Sequence, residues 1–141
     1  MVPRDTSTGT VLEEMICPAL KHGGYDYKTQ VNIGKKPSGK KHIIDVLAED
    51  SNGKEYLISL KWQQVSGTAE EKIPYEIICL IHKMKESQDK FNKAYLVLGG
   101  GGFTLRDFYV NGGLEEYIKN INLINIVTLE TFVAKANSGN L

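Results

Sequence analysis

The stretch that decides the fold is residues 39–76, GKKHIIDVLAEDSNGKEYLISLKWQQVSGTAEEKIPYE. The tripeptide Ser51-Asn52-Gly53 near its centre is typical of a tight turn, because Asn-Gly supplies the positive backbone angles that a short hairpin needs. Runs of alternating side chains flank this turn and predict strands over residues 41–49 and 55–63. A loop and the start of a long helix follow the second strand.

The two faces of this hairpin differ in character, because successive side chains on a strand point to opposite sides. The even-numbered positions are nearly all apolar and predict a core face: His42, Ile44, Val46, Ala48, Tyr56, Ile58, Leu60 and Trp62. The odd-numbered positions predict a polar face that carries Asp45, Ser59, Lys61 and Gln63. If the hairpin folds about Asn52, Asp45 lies opposite Ser59 and one pleat from Lys61.

The rest of the chain predicts an α/β fold with a mixed β-sheet flanked by helices. Helices are expected from Thr8 or Thr10 to His22, from Ile73 or Pro74 to about Asp89, and over residues 114–120 and 129–136. Further strands are expected over residues 25–33, 94–98 and 124–128. An antiparallel meander followed by a β-α-β crossover gives a sheet of mixed direction. A length of 141 residues predicts a single domain over residues 1–141.

Composition limits the possible classes of protein. The net charge is zero at pH 7, so the chain has no global basic signature of nucleic-acid binding. Cys17 and Cys79 lie in apolar patterns and are expected to be buried thiols, which predicts a reducing, intracellular and cytoplasmic location. No apolar run approaches the roughly 20 residues of a membrane span, and no signal-peptide pattern is visible.

Four lysines cluster in residues 34–41, GKKPSGKK, immediately before the strand that carries Asp45. The cluster has two interpretations. It is either a solvated turn or a loop that contacts phosphates at the edge of the polar face.

A carboxylate and an ammonium on adjacent strands suit metal-assisted hydrolysis of a phosphodiester. Asp45 would bind a divalent cation, and Lys61 would orient a water or stabilise developing charge. A second carboxylate is needed, and the candidates are Glu13, Glu70, Glu71 and Glu76. The alternative is a cross-strand ion pair on a solvated face, which contributes only some tenths of a kcal/mol.

Asp45, followed across the hairpin by Ser59-Leu60-Lys61, resembles the PD-(D/E)xK nuclease superfamily, whose fold is restriction-endonuclease-like. The order of elements over roughly residues 8 to 130 is similar as well. Two positions depart from the pattern: Ile44 stands where the family's name has proline, and Ser59 stands where the second acid belongs.

The resemblance implies roles for further residues. Some restriction endonucleases have a similar S-x-K pattern and take the missing acid from the following helix, so Glu76 looks like that acid, with Glu71 as the runner-up. Glu71 could instead form a capping box with Thr68, three residues before it, at the start of the helix. Glu13 resembles a first-helix glutamate of the family, unless it is merely exposed on an amphipathic helix. Gln63 is similar to a glutamine of several branches, unless it is a surface strand residue.

The resemblance therefore implies a magnesium-dependent endonuclease of the restriction or homing type that cuts double-stranded DNA. The implied catalytic residues are Asp45, Ser59, Lys61, Gln63, Glu76 and Glu13, and the implied metal ligands are Asp45, Glu76 and Glu71. Loops around the sheet would contact DNA through Lys35, Lys36, Lys40, Lys41 and Lys72. A homodimer or homotetramer is expected, because palindromic sites are normally read by two-fold dimers. The alternative is a catalytically silent DNA-binding or assembly module on the same fold.

Overall fold

A computed structural model describes residues 7–63 and 69–141, and its centre is a five-stranded mixed sheet. The strands are β1 (Asp26–Lys35), β2 (Lys41–Glu49), β3 (Glu55–Trp62), β4 (Phe91–Gly99) and β5 (Ile124–Thr128). They lie in sequence order. The first three strands are antiparallel, and β3, β4 and β5 are parallel. The predicted fold class, a mixed sheet flanked by helices, is confirmed.

Helices cover both faces of the sheet. Helices α1 (Ser7–Val11) and α2 (Cys17–His22) are joined by a π-helical turn, Leu12–Ile16. Helix α3 (Ile73–Glu86) crosses from β3 to β4, α4 (Arg106–Val110) lies between β4 and β5, and α5 (Leu129–Asn137) follows β5. Single 3-10 turns occupy Ala69–Lys72, Gln88–Lys90 and Ile121–Leu123. Among the described residues, no helix is long and apolar enough to cross a bilayer.

The sheet separates two apolar cores. In the first core, Leu20 and Phe132 from α2 and α5 pack with strand residues such as Ile58. In the second core, Ile77 of α3 packs against the opposite face of the sheet, which includes Leu57. Burial of both faces explains why β4 is an almost continuous apolar run, as is typical of strands in parallel sheets.

The expected division of the hairpin into an apolar and a polar face is only partly right. Val46 and Ala48 lie in the first core as predicted, but Ile44 packs in the second core on the α3 side. Leu57, at an odd position, is also fully buried in that second core. The prediction missed this because alternation within two strands does not reveal that α3 covers the other face.

The β2–β3 turn is built around an aspartate as well as the Asn-Gly pair. Gly53 has φ 82°, whereas Asn52 is not in the left-handed region. The Asp50 carboxylate accepts hydrogen bonds from the backbone N–H groups of Asn52 and Lys54, at 2.8 and 3.0 Å. The turn therefore needs only one positive angle, because the side chain of Asp50 satisfies the backbone donors.

The helix predicted over residues 114–120 does not form. This segment consists of turns, in which the backbone carbonyl of Leu114 accepts from the N–H groups of both Tyr117 and Ile118. It begins after Gly113, which packs beneath the Phe108 ring, and it ends at Asn120 with φ 65°. Left-handed backbone at Gly112 and Asn120 bounds the segment, and the bonds to Leu114 within it close turns instead of a regular helix. The helix between β4 and β5 is instead α4.

Candidate active site

The site begins where the antiparallel pairing of β2 with β3 ends. Paired residues run from Glu49 with Glu55 to Val46 with Ile58, the register that a fold about Asn52 predicts. Immediately beyond, a side chain replaces the backbone partner: Asp45 Oδ2 accepts a 2.7 Å hydrogen bond from the backbone N–H of Leu60. This bond fixes the Asp45 carboxylate at the position where the two strands separate.

The environment of Asp45 leaves its negative charge only partly compensated. Burial is the largest effect and raises the pKa of Asp45, and the nearby Glu76 carboxylate raises it further. The Leu60 N–H, the Lys61 ammonium and the Gln30 side chain lower the same pKa without cancelling the increase. Gln30 lies on β1 with φ 53°, a left-handed conformation within a strand that no sequence pattern indicated. A carboxylate in this state favours an additional positive charge nearby.

Helix α3 brings a second carboxylate to the same place. Glu76 lies in the first turn of α3, which Pro74 helps to start. Its Oε2 accepts a 2.8 Å hydrogen bond from Ser59 Oγ, and its Oε1 lies 3.9 Å from Lys61 Nζ. Ser59 is 2% exposed, and the side chains of Glu76 and Lys61 are 14% and 32% exposed. The structure thus brings Asp45, Ser59, Lys61 and Glu76 together.

These oxygen ligands fit a hard divalent cation. Asp45 and Glu76 are the two carboxylates of the cluster, and burial together with the charge of Glu76 raises the pKa of Asp45. Within residues 7–63 and 69–141, no group of three or more His, Cys, Asp or Glu side chains is arranged to hold a metal by itself. Magnesium is commonly held by one or two carboxylates plus substrate phosphates, so the set suits a site that substrate completes.

Three other predicted site residues have different surroundings. Gln63 is 5% exposed, and its Nε2 donates to the carbonyl of Gly102 at 3.0 Å, so its amide supports the loop after β4. Glu71 is exposed, and its charge acts on the pKa of Tyr109. Glu13 is exposed in the π-helical turn, where its charge acts on Cys17. Their catalytic and metal-binding roles stay predictions.

Glu70, another candidate second acid, binds protein groups with both carboxylate oxygens. Oε2 accepts from Thr104 Oγ1 at 2.9 Å, and Oε1 accepts from the backbone N–H of Leu105 at 2.8 Å. The Tyr109 hydroxyl donates to the Glu70 backbone carbonyl at 2.8 Å. The Leu105 bond is the largest of the effects that hold the pKa of Glu70 below its usual value. The sequence contains no signal for these contacts, whose partners lie 34 to 39 residues away.

The lysine cluster forms the tip of the β1–β2 hairpin. Lys35 pairs with Lys41, and Lys36 donates its backbone N–H to the carbonyl of Lys40 at 2.8 Å. Lys36 is half-buried, and its positive charge adds to the burial that lowers the pKa of His42 and opposes the burial that raises the pKa of Cys79.

Two buried groups connect the hairpin to the α3 side of the sheet. Lys83 of α3 is 3% exposed, its Nζ donates to Glu86 Oε1 at 2.9 Å, and a Cβ added at Gly34 would lie 2.5 Å from that Nζ. His42 is 1% exposed, and neither ring nitrogen has a hydrogen-bond partner among the described residues. Burial is the main cause that lowers the pKa of His42.

Cys17 and Cys79 are buried and not joined in a disulfide, as their apolar surroundings in the sequence predict.

The possible capping box of Thr68 with Glu71 includes a residue outside the described part of the chain. Lys72, at the N-cap of α3, is exposed.

Comparison with known proteins supplies the family. Three solved structures are similar to this chain. A protein of unknown function, AF1548, has 16% identity and a TM-score of 0.48, and the match covers 80% of this chain and 54% of that one. A repair endonuclease from Pyrococcus abyssi has 15% identity and a TM-score of 0.41, with 91% and 46% of the two chains covered, and EndoMS in a complex with double-stranded DNA has 18% identity and a TM-score of 0.40, with 86% and 42% covered. The chain spans about half the length of these structures. A search of curated protein sequences finds no significant match. The family model of the PD-(D/E)XK nuclease superfamily domain matches residues 4–140, nearly the whole chain, and the protein therefore belongs to the PD-(D/E)XK nuclease superfamily.

Proposed function

We propose that this protein is a magnesium-dependent endonuclease that hydrolyses phosphodiester bonds of double-stranded DNA, of the restriction or homing type. One observation carries the proposal: Asp45 at the separation of β2 and β3 shares its surroundings with Lys61 and with Glu76, whose carboxylate is bound by Ser59. A purely structural cross-strand ion pair does not require the second carboxylate from a different element.

In this proposal, Asp45 and Glu76 would hold the divalent cation through their carboxylate oxygens. When bound, the cation supplies Lewis-acid polarisation of the scissile phosphate and lowers the pKa of an attacking water. Lys61 would neutralise charge that develops on the phosphate, because its ammonium lies 3.9 Å from Glu76 Oε1 and also acts on Asp45. Ser59 keeps the Glu76 side chain in place by donating its hydroxyl proton to Oε2.

DNA would approach the edge of the sheet where the hairpin tip lies. Lys35, Lys36, Lys40 and Lys41 would contact phosphates there, together with Lys72 at the start of α3. Phosphate contacts by surface lysines contribute affinity without reading sequence. We further propose that two or more copies assemble on a palindromic site, which light scattering with and without DNA would test.

Plasmid nicking in the presence of Mg²⁺ or EDTA tests the proposed activity. Wild-type protein should nick supercoiled DNA with Mg²⁺ and not with EDTA. Asp45→Asn and Lys61→Ala should each abolish cleavage while the protein remains folded, because both side chains lie at a partly solvated site. The matched controls are Asp89→Asn and Lys119→Ala, whose wild-type side chains are exposed.

The same assay separates the nuclease from the silent module. A wild-type protein that binds the plasmid but never nicks it, over a range of divalent cations, would favour the silent binding module. Near-wild-type nicking by either site variant would show that the active-site assignment is wrong. If cleavage occurs, incubation with a randomised DNA pool followed by end sequencing would identify the recognition site.

A further inference from the structure

We propose that Glu70 is a positioning residue that fixes the start of α3, and with it Glu76, by bonding the turn before α3 to residues 104–109. This inference rests on the proposed function, because it assumes that Glu76 binds the cation. Glu70 does not contact the reacting atoms in this scheme. It acts through the placement of the helix that carries a ligand.

Within the described part of the chain, the N-cap position of α3 carries no side-chain cap. Lys72 is the N-cap residue of α3, and its side chain makes no capping hydrogen bond. Side-chain caps usually stabilise the first turn, where backbone donors lack partners within the helix. The side chain of Ile73 is fully buried, and its apolar packing also holds this end of α3 in place. Besides the Ser59 hydrogen bond to Glu76 itself, Glu70, six residues before Glu76, supplies polar contacts that restrain the turn before α3.

Glu70 makes several short hydrogen bonds to one other segment of the chain. Its side chain is nearly inaccessible, with 7% of the residue exposed. Both carboxylate oxygens and the backbone carbonyl accept hydrogen bonds of 2.8 to 2.9 Å from Thr104, Leu105 and Tyr109. Hydrogen bonds to an ionised carboxylate are stronger than those between neutral groups. One residue therefore connects the turn before α3 to two points on another segment.

The segment that Glu70 contacts is itself bonded to the end of the strand that carries Lys61. After β4, Gly102 donates its backbone N–H to the carbonyl of Gln63 at 2.8 Å, and Gln63 donates its own N–H to the carbonyl of Gly99 at 3.0 Å. Gln63 comes two residues after Lys61. The chain from 99 to 105 thus extends from the end of the Lys61 strand to Glu70. The contacts at Gln63 and those at Glu70 together restrain the distance between Lys61 and Glu76.

The test measures cation affinity directly, by titration with Mn²⁺ followed by electron paramagnetic resonance, alongside steady-state cleavage. Glu70→Ala should weaken Mn²⁺ binding at least fivefold and lower kcat, with the KM for DNA changed less than twofold. Glu70→Gln should lie between Glu70→Ala and wild type, because its carbonyl oxygen still accepts from Leu105. Tyr109→Phe, which removes one oxygen from a 4%-exposed ring, should weaken Mn²⁺ binding about threefold.

Matched controls separate this role from general loss of stability. Glu116→Gln changes an exposed carboxylate, and Tyr117→Phe removes a hydroxyl from a ring that is 74% exposed. Both should bind Mn²⁺ within twofold of wild type. All titrations are made well below the melting temperature of each variant. If Glu70→Ala does not fold, Glu70→Gln and Tyr109→Phe decide the outcome.

The results also distinguish this inference from the proposed function. If Glu76→Gln weakens Mn²⁺ binding but folded Glu70 and Tyr109 variants match their controls, the positioning role is wrong and the nuclease proposal stands. If Glu76→Gln leaves Mn²⁺ binding unchanged, Glu76 is not a ligand, so the positioning role is wrong, and the nuclease, if plasmid nicking shows one, takes its second acid from another residue. If all three weaken binding and the controls do not, the positioning role is supported.

Discussion

Removal of the Ser59 hydroxyl tests whether its hydrogen bond positions the Glu76 carboxylate for cation binding. In Ser59→Ala, Oε2 of Glu76 loses a 2.8 Å hydrogen bond at a site where the two residues are mostly buried. Bonds to charged groups contribute about 1.5–3 kcal/mol to stability. The low end applies here, because the Lys61 ammonium remains 3.9 Å from Oε1 and partly compensates the charge. We therefore expect unfolding free energy to fall by about 1.5 kcal/mol at pH 7 without metal.

The same variant should bind the cation more weakly. Without the hydroxyl, the Glu76 side chain regains rotamers that it must lose again when it binds metal. A glutamate loses up to about 1.5–2 kcal/mol of side-chain freedom when fixed, and a 14%-exposed side chain has already lost part of it. A remaining cost of about 1 kcal/mol corresponds to a roughly fivefold weaker cation affinity.

A double-mutant cycle with Glu76→Gln isolates this pair. Urea unfolding should give a coupling of about 1 kcal/mol between Ser59→Ala and Glu76→Gln, since contacting residues are not additive. In the Glu76→Gln background, Ser59→Ala should leave Mn²⁺ affinity unchanged. Strict additivity in stability, together with unchanged affinity in the single Ser59→Ala variant, would refute the reasoning. The exchange Ser59→Glu with Glu76→Ser provides a stricter test, because it should bind Mn²⁺ more tightly than Glu76→Ser alone.

Three further predictions concern the hairpin and its contacts with α3. Lys36→Ala should weaken binding to all DNA sequences alike and reduce the slope of log affinity against log salt by about one unit, measured by fluorescence anisotropy; a loss limited to one sequence would indicate base reading instead. Burial lowers the pKa of His42 in the folded protein, so the His42 contribution to the unfolding free energy should be constant above its pKa in the unfolded chain, about 6.5, and decline as the pH falls below that value. His42→Leu should remove this decline in urea titrations from pH 8 to pH 5. Gly34→Ala should cost about 1–3 kcal/mol in thermal unfolding, because φ is 121° and the new methyl group meets Lys83 Nζ; Gly101→Ala, with open space around it, is the control.

The sequence predicted the features that local patterns control. Strand bounds for β2 and β5 agree with the structure, and the register about Asn52 follows from turn chemistry and alternation. The approach of Asp45 to the backbone of Leu60 follows from that register. The start of α3 at Ile73 was visible from Pro74, because proline is tolerated in the first turn and not in the helix interior.

Features that depend on distant contacts were not predictable. Ile44 and Val46 have the same parity but pack in different cores, on either side of Asp45, where the pairing of β2 with β3 ends. The partners of Glu70 come from a segment 34 to 39 residues away. Gln63 has the expected parity, but its side chain is used by the loop at Gly102. In each case a tertiary contact prevails over a local pattern.

The position of the second acid has a physical rationale. Position 59 is 2% exposed beneath α3, so a carboxylate there would lose nearly all hydration beside Asp45, whose own pKa is already raised by burial and a neighbouring charge. Glu76 reaches the same region from the first turn of a helix, where the helix dipole favours negative charge, and it keeps 14% of its side chain exposed. Serine at position 59 then serves as a donor to that carboxylate. The consequence is that a proposed metal ligand belongs to α3 and no longer to the sheet, so the geometry of the site depends on how firmly the start of α3 is held.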